Sequence, residues 1–88
     1  MAEDNVVLEV PSTEEKAQHY KAMGDSVKLI DDILTGVAMQ DETDEEKKDC
    51  VTRNVEHLKI MVAKEWWGDE DMTPANEAIT AGEAFLNA

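Results

Sequence analysis

The residues in this chain that could do chemistry are few, and their neighbours decide what each could do. His19 and His57 belong to no His-Glu-x-x-His pattern and to no paired Cys/His set of the kind that ligates zinc. Cys50 is the single cysteine, so it cannot form an internal disulfide, and no signature of a catalytic thiol surrounds it. At the edge of an apolar helix face it reads as a small buried hydrophobe. The acidic clusters Asp41 to Glu46 and Asp69 to Asp71 lack the Asp-x-Asp-x-Asp-Gly loop that preorganises calcium ligands. They read as helix-start charge and solvated loop. Paired carboxylates for acid/base work need an enclosed pocket to shift their pKa values, and 88 residues offer little enclosed volume. The expectation is a protein that is not an enzyme, with no catalytic, cofactor-binding or metal-binding residues and no cofactor.

Composition narrows the classes further. The chain is 42% hydrophobic, which suits a globular domain, yet it carries 21 acidic against 8 basic residues and a formal charge of −13. Binding to phosphate by counterion release needs clustered Lys and Arg, and none follows Lys64, so direct nucleic-acid binding is not expected. No apolar run approaches the roughly 20 residues that cross a bilayer, so no membrane partner is expected either. The opening Met1-Ala2-Glu3-Asp4 lacks the basic-then-apolar layout of a signal peptide, which points to the cytosol.

Three elements should position whatever functional surface exists. Ser12 and Thr13 are N-cap candidates before Glu14 and Glu15, and Tyr20, Met23, Val27, Ile30, Leu34 and Val37 recur at three and four residues, an a/d seam. This predicts a first helix over about 13–39, with Gly24 marking a bend or a close contact. Thr43 to Glu46 has the form of a capping box, and Val51, Val55, Leu58, Val62 and Trp66 continue the pattern, predicting a second helix over about 44–66 that Gly68 stops. Both histidines fall beside these seams. Thr73-Pro74 reads as an N-cap followed by proline at the first helical position, opening a short third helix over about 74–86 with a weak face of Ala75, Ala78, Ile79, Phe85 and Leu86. The fold class expected is all-α: an antiparallel helical hairpin of two long helices plus a short C-terminal helix, one domain over 12–88. An extended N-terminal arm over 1–11 precedes it, because Asn5 to Val10 is a β-branched run ended by Pro11 with no second strand to pair with.

Two features call for a partner. Val6, Val7, Leu8 and Val10 would expose apolar side chains if the arm stayed extended alone, since lone strands are marginal in water. Trp66 and Trp67 are adjacent, so one helical face cannot bury both, and one should project as an interface anchor. Val6, Val7, Leu8, Val10, Trp66 and Trp67 are therefore the candidate partner-binding residues.

The stretch Arg53-Asn54-Val55-Glu56-His57-Leu58-Lys59-Ile60-Met61, continuing through Lys64-Glu65-Trp66-Trp67 to Asp69-Glu70-Asp71-Met72-Thr73-Pro74, resembles small uncharacterised acidic proteins of tailed bacteriophages, marine cyanophage-like ones in particular. The resemblance implies synthesis in the cytoplasm of a host bacterium and transfers no site residue. With it, the expected function is a virion-associated or assembly component acting by protein–protein contact or self-association with phage structural proteins. The alternative is an acidic inhibitor that mimics nucleic acid and binds a host DNA- or RNA-processing enzyme.

Overall fold

The computed structural model describes residues 10–88, and the candidate partner residues Val6, Val7 and Leu8 lie outside them. Among the described residues the secondary structure is entirely helical: α1 spans Thr13–Leu34, α2 spans Asp44–Val62 and α3 spans Thr73–Leu86. Val10 and Pro11, at the end of the expected arm, belong to neither helix nor strand.

The first two helices begin where short-range hydrogen bonding dictates. Ser12 Oγ accepts from the Glu15 N–H at 3.1 Å, and Glu15 Oε1 accepts from the Ser12 N–H at 2.9 Å. Thr43 and Glu46 repeat this capping box at 3.1 and 2.9 Å. Each box satisfies two of the N–H groups that a helix start leaves without partners. The Thr43 backbone N–H, together with its hydroxyl, holds the Glu46 carboxyl below its ordinary range. The third helix starts differently from expectation. Thr73 is its first residue rather than its N-cap, Met72 at the cap position makes no side-chain bond, and Asp71 Oδ1 accepts from the Thr73 N–H at 2.9 Å. That bond lowers the Asp71 pKa.

The two long helices end earlier than their apolar patterns suggest. Gly36 adopts φ +80°, and the Val37 N–H bonds the Asp32 carbonyl at 2.7 Å while the Gly36 N–H bonds that of Ile33 at 3.2 Å. This is a Schellman closure, which glycine makes without a Cβ penalty. It ends α1 at Leu34 rather than near Met39, leaving Val37 outside the helix and 63% exposed instead of in the seam. Met39 follows at φ +57°, a left-handed conformation that costs a non-glycine residue about 1 kcal/mol, and its half-buried side chain packs against the core. The second helix ends at Val62 rather than Trp66. Its Met61 carbonyl, one of those left open at a helix C-terminus, accepts the Lys64 N–H at 3.0 Å and the Trp67 indole N–H at 2.7 Å.

The core draws on all three helices: Met23, Ile30 and Ile33 of α1, Val51, Val55, Leu58 and Met61 of α2, and Ala75 and Ala78 of α3, with Trp67 from the α2–α3 connection. Tyr20, Val27, Leu34 and Val62, four members of the expected seams, flank it half-buried. Buried Ile33 and Ser26 lay outside the expected seam, so the buried face of α1 is rotated toward 23, 26, 30 and 33. Gly82 brings α3 close to α2, because a Cβ there would lie 2.5 Å from Val55 Cγ2 and 3.3 Å from Val51 Cγ1. Gly24 is the opposite case. The helix α1 runs through it without a break, it makes no close contact among the described residues, and a Cβ there would meet nothing within 4 Å.

The two glycines should respond oppositely to the same change. Gly24→Ala gains helix propensity worth about 1 kcal/mol with nothing to displace, whereas Gly82→Ala gains the same propensity but overpacks the Val55 contact and should lose about 1–3 kcal/mol net of it. Urea unfolding of both variants beside wild type measures this, and equal responses would refute the packing assigned to Gly82. The Glu46 cap carries a pH signature. Its folded-state pKa lies below the ordinary 4.5, so its stabilisation is complete above that value and is lost as pH falls through the folded-state value. Glu46→Gln keeps the acceptor without the charge, so thermal unfolding should show wild type ahead of the variant near neutrality and level with it in acid.

Candidate functional site

Adjacent residues outside a helix can point to opposite sides of the chain, and that divides the roles of the two tryptophans. Trp67 turns inward to the Met61 carbonyl and is 6% exposed. Its ring meets Tyr20 edge-on, with centroids 5.9 Å apart and planes at 60°, a favourable arrangement for aromatic quadrupoles. Tyr20 in turn donates its hydroxyl to the Asp71 carbonyl at 2.7 Å, tying the α2–α3 connection to α1. Trp67 therefore belongs to the core, so of the two tryptophans expected among the partner-binding residues it is the one with almost no exposed surface.

Trp66 turns outward and remains half-buried. Its ring lies 4.6 Å from Trp67 at 49° and 5.7 Å from His19 at 42°, so the three rings form a continuous aromatic corner with Tyr20 behind them. On the solvent side, Trp66 and His19 line an open concavity of about 440 Å³ with Val10, Pro11 and Glu15. Val10 is 59% exposed there. The fold thus brings together Val10 and Trp66, two of the candidate partner-binding residues that are 56 positions apart in sequence. Glu15 is committed to the α1 capping box. What the corner can do chemically is bury apolar and aromatic area and stack against a planar or cationic group.

The remaining chemistry-bearing residues lie elsewhere. His57 Nδ1 is 2.9 Å from Ser26 Oγ, which gives the one buried polar residue among the described residues a partner and links α1 to α2. Ser26 stands three residues after Met23 and four before Ile30, a seam position that a polar side chain disguises in the sequence. Cys50 is half-buried, and the Asn54 side-chain amide donates to its carbonyl at 2.8 Å. Glu42, Glu45, Glu46 and Asp49 line an open acidic concavity with Met39 and Arg53, and Arg53 pairs with Asp49 at 3.0 Å. Among the described residues no group of three or more His, Cys, Asp or Glu is placed to hold a metal ion, and no helix is long and apolar enough to cross a membrane. The chain matches no family model, no curated protein and no solved structure.

The tryptophans should separate cleanly in solution. Trp66→Ala removes a half-buried ring and should cost about 1–3 kcal/mol while keeping helical circular dichroism, whereas Trp67→Ala empties a core position and should cost about 3–5 kcal/mol. In single-tryptophan proteins, Trp66→Phe should leave blue-shifted emission protected from acrylamide and Trp67→Phe should leave red-shifted, quenchable emission. The reverse order would show that the assignment of the two rings is wrong.

Proposed function

We propose that the chain is a non-enzymatic phage protein, a small virion-associated or assembly component that acts by protein–protein contact in the cytoplasm of the host bacterium or within the virion. Trp66 carries the reading: a tryptophan held half-exposed beside Val10, Pro11 and His19 is the kind of anchor on which interface energies concentrate. The resemblance of residues 53–74 to tailed-phage proteins supports the biological setting. An antiparallel hairpin of α1 and α2 is the scaffold in this reading, supported by the meeting of Ser26 with His57 of α2 and of His19 with Trp66, four residues past the end of α2, so that position advances along α1 as it recedes along the second segment.

A second reading, an acidic nucleic-acid mimic that binds a host DNA- or RNA-processing enzyme, is favoured by the concavity of Glu42, Glu45, Glu46 and Asp49 and by the net charge of −13. Capture from phage-infected cells separates the two. A virion or assembly component should retain phage structural proteins at both low and high salt and lose them with Trp66→Ala. Capture of a basic host enzyme that high salt releases and Trp66→Ala leaves intact would select the mimic instead.

A further inference from the structure

Away from the aromatic corner, α1 and α3 diverge enough to leave an apolar groove of about 390 Å³. Gly24, Val27 and Leu34 of α1 face Pro74, Ala78 and Ala81 of α3 across it. A second opening of about 230 Å³ shares Gly24, Val27 and Pro74 and continues the groove past Tyr20 and Met23 to Asp71. Small side chains keep it open: Ala78 and Ala81 reach little way from α3, and Gly24 has no side chain where a Cβ would meet empty space. Helix propensity argues against a glycine at that position by about 1 kcal/mol relative to Ala, and no packing among the described residues requires it. From Tyr20 to Leu34 the groove follows α1 for about 21 Å, the length of four helical turns.

The groove's edges carry charge of one sign that is left over from internal pairing. Asp31 lies on the α1 side and Glu77 on the α3 side, and among the described residues neither is in an ion pair. Lys28, the exposed cation of the lining, pairs with Asp32 at 2.8 Å and also feels the charge of Asp31. An apolar floor between two available carboxylates, on a chain of charge −13, is complementary to an apolar stripe flanked by cations. The same charge opposes a second copy of the chain in this position.

We propose that the α1–α3 groove is a docking site for a basic amphipathic helix of a partner protein, with its apolar side chains at i, i+3 or i+4 and i+7 seated over Gly24 and its Lys or Arg residues reaching Asp31 and Glu77. The proposal rests on the reading of the chain as a protein-binding protein, but it concerns a surface separate from Trp66.

The test uses the full chain and a synthetic amphipathic Leu/Lys helical peptide of about 18 residues, long enough to span the groove, with a scrambled peptide of the same composition as control. Amide shifts in two-dimensional NMR should move at Gly24, Val27, Asp31, Ala78 and Ala81 with the patterned peptide. Gly24→Leu puts an apolar side chain into the groove from an exposed helix position where a Cβ meets nothing within 4 Å, so it should keep helical circular dichroism and weaken binding about tenfold or more, about 1.4 kcal/mol. The pair Asp31→Lys with Glu77→Lys should weaken it similarly, while Trp66→Ala should leave it unchanged. Shifts centred on Trp66 or the Glu42–Asp49 concavity, equal binding of the scrambled peptide, or binding indifferent to both groove variants would overturn the proposal. A lost groove site beside a Trp66-dependent capture from infected cells would leave the broader reading intact, so the two can fail separately.

Discussion

The hydrogen bond from the Trp67 indole to the Met61 carbonyl organises the surroundings of both proposed surfaces. A helix C-terminus leaves carbonyls open to outside donors, and a buried indole N–H without an acceptor would cost roughly 1–3 kcal/mol. The Met61 carbonyl, which also accepts the Lys64 N–H at 3.0 Å, accepts the indole N–H at 2.7 Å, and that bond holds the Trp67 ring in the core beneath Tyr20. Because Trp67 faces inward, Trp66 faces His19, Val10 and Pro11. The Tyr20 hydroxyl then fixes the connection at Asp71, whose carboxylate starts α3. One satisfied carbonyl therefore links the end of α2, the aromatic corner and the entry into α3.

Packing of the third helix is uneven, and the unevenness gives the molecule its second surface. On the α2 side, Gly82 lets the α3 backbone approach Val55 at a distance that no Cβ would tolerate, with Val51 in a tight second contact. On the α1 side, Ala78 and Ala81 face Gly24 across open space. A short helix of small residues cannot fill the gaps on both sides of itself. It closes against α2 and leaves an open apolar groove on the α1 side, where the carboxylates of Asp31 and Glu77, in no ion pair among the described residues, stand at the margin.

Charge shapes what the protein can meet. Most of the ion pairs among the described residues are i,i+4 pairs on exposed helix faces, such as Lys21 with Asp25 and Arg53 with Asp49, which contribute a few tenths of a kcal/mol each. Lys59 with Glu83 joins α2 to α3, also at the surface. These pairs use up much of the small cation supply. The excess carboxylates, at helix starts and along the Glu42–Asp49 concavity, favour the helix N-termini and set the long-range field a partner would feel.

What the sequence by itself determined were the features that depend on residues a few positions apart. The number of helices, the starts of α1 and α2 at Ser12 and Thr43, and the apolar spacing of Val51, Val55 and Leu58 all follow from hydrogen bonds and periodicity within a turn or two. Tertiary structure decided the helix ends and the sidedness. An apolar residue such as Val37 or Trp66 continues a pattern whether or not the backbone is still helical, and only the Schellman closure at Gly36 and the distant indole at Met61 show where it stops. Ser26 could be recognised as a core position only when His57 was seen to satisfy it across the helix interface. The choice between Trp66 and Trp67 was equally out of reach, because two identical side chains on neighbouring residues are distinguished by what each meets in space: a carbonyl and Tyr20 for one, His19 and Val10 for the other.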